Sequence, residues 1–244
     1  MIANSQAKSA FLAGKPILIG RYASNLAQGR EVLLIAKNKA NKKTGHMVQL
    51  AILDPSINPE KIDKTVENGQ GCDNRCSAFE GCYVQAFKFH VSSFTRILDD
   101  YNSGKLPELS HDEFCKLLQV LGLQVRFGEF GDPAAIPENI IDDIASSCNG
   151  WTGYTHYWQV EEFQSLKRYF MASVESKLDY DIAKYLGWNC FYVNGQSDKA
   201  LRIVPCLFDV LGKQCDKCML CNGTSGKQVD IVIAAHGQRK GRIS

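Results

Sequence analysis

Leu123-Gln124-Val125-Arg126-Phe127-Gly128-Glu129-Phe130-Gly131-Asp132-Pro133 is the stretch on which the reading of the fold turns. Leu123 to Phe127 reads as a short strand delivered without a spacer into a Gly-Glu turn that Asp132-Pro133 closes. Upstream, Ser110-His111-Asp112-Glu113 is a capping-box pattern that starts a helix, and Gly122 ends it. Downstream, a helix is predicted from Pro137 to Ser147, stopped by Asn149-Gly150. Helix, strand, turn and helix in this order are the parts of βα units.

The pattern continues in both directions. Toward the N-terminus, Val48 to Leu53 is an apolar run closed by Asp54-Pro55, hence a buried strand. Phe87, Val91, Phe94, Ile97 and Leu98 recur at helical spacing, so a helix runs to Asp100 before the Asn102-Ser103-Gly104 break. Earlier still, Pro16 to Gly20 and Glu31 to Ala36 give two short strands, or a strand and a helix, followed by a solvated loop from Lys37 to Lys43. Toward the C-terminus, strands are predicted at Trp151 to His156, Tyr169 to Val174, Trp188 to Val193, Leu201 to Val204 and Val229 to Ala234. Short helices fall at Val160 to Leu166 and Asp179 to Leu186. The alternation means an α/β fold with a mostly parallel sheet. Ligands of such sheets sit at the carboxyl ends of the strands, where Glu129, Asp132, His156, Glu175 and Asn194 fall.

The 244 residues suffice for one large core, and a net charge of +2 does not argue for a protein that coats nucleic acid while leaving room for a local patch, of which Arg239-Lys240-Gly241-Arg242 is the visible one and reads mainly as a solvated end. No signal peptide and no apolar run of membrane-spanning length is present, so the expectation is a soluble cytoplasmic protein with no membrane partner. Ten cysteines in such a chain stay reduced, and clustered ones then point to metal or iron–sulfur binding. Cys115, Cys148 and Cys190 are scattered and read as small buried hydrophobes.

Two cysteine groups carry the chemistry. Cys72, Cys76 and Cys82 are spaced C-x3-C-x5-C in a glycine-bounded loop, with Tyr83 after the last. Three thiolates leave one coordination position open, which suits an iron–sulfur cluster with a free iron; zinc with a fourth ligand from elsewhere is the alternative. Cys206, Cys215, Cys218 and Cys221 are spaced C-x8-C-x2-C-x2-C. That run matches the loops that wrap a cubane cluster, with a four-sulfur zinc knuckle as the alternative.

These residues resemble a known family. A strand, a three-cysteine loop closed by an aromatic, a helix, a strand ending in a Gly-Glu turn and four further βα units resemble the radical S-adenosylmethionine (SAM) enzymes. Cys82-Tyr83, Arg126 to Pro133, Trp151-Thr152-Gly153-Tyr154-Thr155-His156 and the late cysteine run are similar to a phage-encoded radical-SAM-like group, over about residues 48–237. The second gap of the three-cysteine motif holds five residues where the family usually has two. The resemblance implies a partial (βα)6 barrel over 48–204, an N-terminal extension at 1–47, and a cysteine cluster with the last strand at 205–244. It implies that Cys72, Cys76 and Cys82 bind a 4Fe-4S cluster whose fourth iron SAM chelates. Cys206, Cys215, Cys218 and Cys221 would hold an auxiliary cluster. Gly128 and Glu129 would hold the SAM amino group, Ser173 and Glu175 the ribose, with Asn194 at the next strand end.

The reaction so implied is hydrogen abstraction by a 5′-deoxyadenosyl radical, fed by an external electron donor. The substrate would be a nucleotide or a modified DNA base, with isomerisation as one outcome, in an infected host cell if the protein is phage-encoded. Glu129 and His156 are the candidate catalytic residues, His156 as a hydrogen-bond donor or proton shuttle. Trp151, Tyr154, His156 and Trp158 offer aromatic surface for a base or, equally, ordinary core. A zinc protein that binds nucleic acid without catalysis is the competing reading, using Arg239, Lys240 and Arg242 as phosphate contacts.

Overall fold

The computed structural model describes residues 2–58 and 89–234. The loop with Cys72, Cys76 and Cys82 and the tail with Arg239, Lys240 and Arg242 lie outside the described residues.

The chain opens with α1 (Ile2–Leu12), which the sequence reading did not foresee. Ala7 and Phe11, one turn apart, are fully buried, and Phe11 meets Phe114 edge-on at 5.8 Å. So few apolar contacts in a polar stretch leave little periodicity to read. Strands β1 (Ile17–Ala23), β2 (Glu31–Lys37) and β3 (Val48–Leu53) then form an antiparallel meander. The N-terminal apolar runs are therefore two strands that extend the sheet.

From β3 onward the strands run parallel. Helix α2 (Phe89–Asn102) and helix α3 (His111–Leu121) precede β4 (Val125–Phe130), which pairs with β3. The α3 cap is as read: the Ser110 hydroxyl accepts from the Glu113 amide, and Gly122 ends the helix in the left-handed region at φ 59°. After α4 (Glu138–Ser147) the chain enters β5 (Trp151–Thr152) and β6 (Tyr154–Thr155), separated by Gly153. A 3-10 helix at Glu161–Arg168 leads to β7 (Met171–Val174), and α5 (Lys177–Tyr185) to β8 (Cys190–Val193). The last elements are β9 (Ile203–Pro205), α6 (Leu207–Leu211), α7 (Cys215–Cys218) and β10 (Asp230–Ile233).

The architecture is mixed α/β with two open five-stranded sheets, ordered β1-β2-β3-β4-β5 and β6-β7-β8-β10-β9. The single strand expected from Trp151 to His156 is split at Gly153, and its halves end one sheet and begin the other. Trp151 and Thr152 pair with β4, whereas Tyr154 and Thr155 pair with β7. A Cβ on Gly153 would lie 2.7 Å from the Phe170 ring, so glycine lets the strand change partners beside an aromatic. Spatial order also departs from chain order at the end, because β10 inserts between β8 and β9.

Each sheet has two covered faces, as parallel sheets require. On one face the main core packs Ala172, Val174, Cys190 and Val232 against Ile140, Ile141, Ile144 and Ala183 of the helices. Asp230, 2% exposed, ties α5 to this sheet by accepting from the Tyr180 hydroxyl at 2.8 Å, Lys184 Nζ at 3.1 Å and the Cys190 amide at 2.7 Å. The opposite face carries two smaller clusters. Phe94, Ile97 and Leu98 of α2 cover Leu33, Ile35, Ala51 and Leu53 at one end. Met171, Val229 and Ile231 pack with Tyr154, Phe191, Cys206 and Cys221 at the other.

Candidate functional site

The carboxyl ends of the parallel strands form the rim where the sequence places its polar candidates. On β4 the register slips: Gln49 of β3 pairs with Arg126 but Ala51 pairs with Phe130. Gly128 at φ 72° takes up the extra length, and Gly131 at φ 75° could not carry a Cβ, which would meet the Ile52 carbonyl oxygen at 2.4 Å. The bulge throws Glu129 out of the ladder. Its Oε2 lies 2.6 Å from Lys37 Nζ, a close ion pair that leaves this buried oxygen without a directed hydrogen bond among the described residues. The ion-pair partner of Glu129 is thus Lys37 of β2 and not Arg126 of its own strand. Three residues apart along one strand, Arg126 and Glu129 are separated by the bulge, and Arg126 stacks instead on the Tyr154 ring at 4.5 Å.

Next along the rim, Asp132 organises the end of β6. Its Oδ1 accepts from the Thr155 hydroxyl at 2.7 Å and the Ala134 amide at 3.0 Å, and its Oδ2 from the His156 amide at 2.9 Å. The His156 ring lies between two carboxylates, Nδ1 at 3.6 Å from Asp132 and Nε2 at 3.4 Å from Glu175. Both nitrogens thus face an acceptor, and the ring can carry a proton on either. Ser173, on β7, donates to Glu175 at 3.3 Å. Asn194 follows β8 in the left-handed region at φ 58°, its amide bound to the Ile233 carbonyl. Trp158 does not line the rim: it is fully buried, and its indole N–H donates to the Ser173 carbonyl at 2.9 Å. Trp151 likewise spends its N–H on the Tyr169 carbonyl. Of the aromatic candidates, Tyr154 is the one set between the rim and the cysteines, stacked on Phe191 at 4.7 Å and edge-on to His156 at 6.4 Å.

The C-terminal cysteines come together on the same face. Cys206 caps α6 and is held by the Val232 carbonyl at 2.9 Å; Cys215 and Cys218 bound α7; the Cys221 carbonyl accepts from the Gly153 amide at 2.8 Å. Burial pushes the Cys221 thiol well above its ordinary value; Cys215, Cys206 and Cys218 push the same way, while the Arg126 guanidinium opposes them. Cys215 is raised by burial too, again opposed by Arg126 and by Lys43. Four thiols and a cation therefore lie within electrostatic reach of one another. Among the described residues no three His, Cys, Asp or Glu side chains are arranged around a single metal position. The thiols are a soft donor set that suits zinc or an iron–sulfur cluster once the protons leave.

This cysteine loop is fastened to the turn between β2 and β3. The Cys215 and Asp216 amides donate to the Lys43 and Thr44 carbonyls at 3.0 and 3.2 Å, and Gln214 Nε2 to the Lys42 carbonyl at 3.1 Å. The buried Asp216 carboxylate accepts from the His46 amide at 3.3 Å and fills the space above Gly45, where a Cβ would lie 2.3 Å from its Cγ.

The structure thus brings Gly128, Glu129, His156, Ser173, Glu175 and Asn194 to one end of the sheets, and Cys206, Cys215, Cys218 and Cys221 to one face. Lys37 and Arg126 were missed as site residues. Lys37 sat in a stretch read as solvated loop, and Arg126 inside a strand, where nothing local marks the face it serves. No described helix is long and apolar enough to cross a membrane. Comparison with protein-family models, with curated proteins and with solved structures finds no match for the chain.

Proposed function

We propose that the protein is a radical SAM iron–sulfur enzyme that modifies or isomerises a nucleotide or DNA base. The observation that carries the reading is the rim itself. Glu129, His156, Ser173 and Glu175 share the carboxyl end of parallel strands. The chain leaves β3 from that same end, after Asn58, toward Cys72, Cys76 and Cys82. In this reading β3, β4, β5 with β6, β7, β8 and β10 are the six strands of a partial barrel.

Cys72, Cys76 and Cys82 would hold a 4Fe-4S cluster with one open iron, and Cys206, Cys215, Cys218 and Cys221 an auxiliary cluster. Such a cluster, when reduced, supplies the electron that cleaves SAM to a 5′-deoxyadenosyl radical. The protein's own residues bind and orient. Glu129 offers the SAM ammonium an acceptor oxygen at the bulge, while Lys37 holds that carboxylate in place. Ser173 and Glu175 hold the ribose hydroxyls. His156, held between Asp132 and Glu175, stores or passes a proton at the rim. Arg126, beside the four thiols, offsets the negative charge that their deprotonation creates.

Anaerobic reconstitution with iron and sulfide tests the reading. About eight irons and about eight sulfides per chain are expected, halved when Cys215, Cys218 and Cys221 are replaced by alanine. Added SAM and dithionite should then yield 5′-deoxyadenosine in wild type but not in Cys76→Ala. Colourless protein with stoichiometric zinc and no labile sulfide would point to the non-catalytic alternative.

A further inference from the structure

The chain as a whole is nearly neutral, with 28 basic and 26 acidic residues. At the amino end of the parallel strands the balance is broken. The turn between β2 and β3 carries Lys39, Lys42 and Lys43, and the cysteine loop pinned to it by Gln214 and Cys215 carries Lys213 and Lys217. Lys15 joins them: a Cβ on the adjacent Gly14 would lie 3.6 Å from Lys39 Cβ. Two carboxylates answer, Asp209 to Lys43 at 3.8 Å and the buried Asp216 to Lys217 at 3.6 Å. Lys15, Lys39, Lys42 and Lys213 are exposed and pair with no carboxylate among the described residues.

We propose that this lysine surface binds the phosphate backbone of a nucleic-acid strand. The proposal rests on the reading of the substrate as a nucleic-acid component, and it selects the polymer over the free nucleotide. The patch starts beside the rim: Lys39 stands two residues beyond Lys37, whose Nζ lies 2.6 Å from Glu129. A strand presents successive phosphates to lysines of three separate segments together, whereas one nucleotide carries its few phosphates on a single short chain. A strand can therefore lie on the lysines and still offer a base at the rim. The lysines are spread over three segments that hydrogen bonds or close packing hold together, so the surface needs no ordering on binding. An anionic bilayer is the less suited partner. Val210 and Leu211 are exposed beside Lys213, but on a helix of five residues, too short for an amphipathic anchor.

The test is fluorescence anisotropy with a labelled thirty-nucleotide DNA, single-stranded and duplex, on the full chain without SAM. Wild type should bind with log affinity falling by about three to four per decade of salt, the response of about four released counterions. The combined charge reversal Lys15→Glu, Lys39→Glu, Lys42→Glu and Lys213→Glu should weaken binding at least about tenfold and flatten the salt response, with melting temperature and bound metal unchanged. A deoxynucleoside triphosphate should not compete at equal phosphate concentration. Equal affinity of the reversed variant, full competition by the mononucleotide, or tighter binding to phosphatidylserine vesicles than to DNA would each overturn the proposal. Absence of 5′-deoxyadenosine from wild type would instead sink the catalytic reading and leave this binding result standing.

Discussion

Glu129 is held by Lys37 through its buried Oε2, at 2.6 Å, while its side chain is 29% exposed, which leaves the other carboxylate oxygen for a ligand ammonium. A charge-assisted hydrogen bond contributes about 1.5–3 kcal/mol, so Glu129→Gln should weaken SAM binding by roughly ten- to a hundredfold. Calorimetric titration of both proteins checks this, with melting temperature measured alongside. If the carboxylate serves Lys37 alone, the variant will melt earlier and bind SAM as wild type does. A second residue bears on pH. Tyr22, stacked edge-on to His111 with its hydroxyl 3.3 Å from Nδ1, is pushed up to about 12 by burial and then by Cys115, Asp143 and Asp112. The folded value lies above the unfolded one of about 10, so this contribution to stability is complete below pH 10 and drains away as pH climbs through 12. Urea unfolding at pH 9 and 11 should show a loss in wild type that Tyr22→Phe reduces.

Among elements, the split strand at Gly153 and the bulge at Gly128 and Gly131 depend on missing side chains. Gly131→Ala combines a positive φ with a 2.4 Å approach to a backbone oxygen that cannot move, whereas Gly153→Ala meets an aromatic ring that can shift a little. Both should destabilise, Gly131→Ala by more than about 2 kcal/mol and Gly153→Ala by about 1–3 kcal/mol, read from denaturant midpoints. These glycines also mark how far the sequence was legible. Helices with strong punctuation were clear: Ser110 and Gly122 bound α3, and α4 ends at Ser147 as its Asn149-Gly150 stop foretold. Apolar runs gave the strands to within two or three residues. The break inside Trp151 to His156 was invisible, because a glycine between two aromatic-rich halves reads the same whether the strand keeps its partner or changes it. For the candidate site, position along each strand was legible, since carboxyl ends follow from chain direction. Cross-strand partners were not: Lys37 reaches Glu129 through a register slip, and register is a property of the assembled sheet.

At the scale of the whole molecule, the insertion of β10 between β8 and β9 sets the order in which the protein can be finished. Strand β9 pairs in its sheet with β10, which is synthesised about thirty residues later. All four C-terminal cysteines lie between these two strands. While the ribosome is still making residues 207–229, β9 has no seat and the thiols have no common wall to gather against. A chain ended after Gly226 should accordingly keep its N-terminal meander yet lose the metal proposed for the C-terminal cysteines, measured as metal per chain against the protein of 244 residues. Retained stoichiometric metal would show that the loop organises itself. Gathering of the four thiols is therefore a late folding event that waits for β10, and any metal delivered to them would meet strands already formed upstream. A stop codon or a stalled ribosome before β10 would leave β9 without its partner strand and the four thiols without the wall that gathers them.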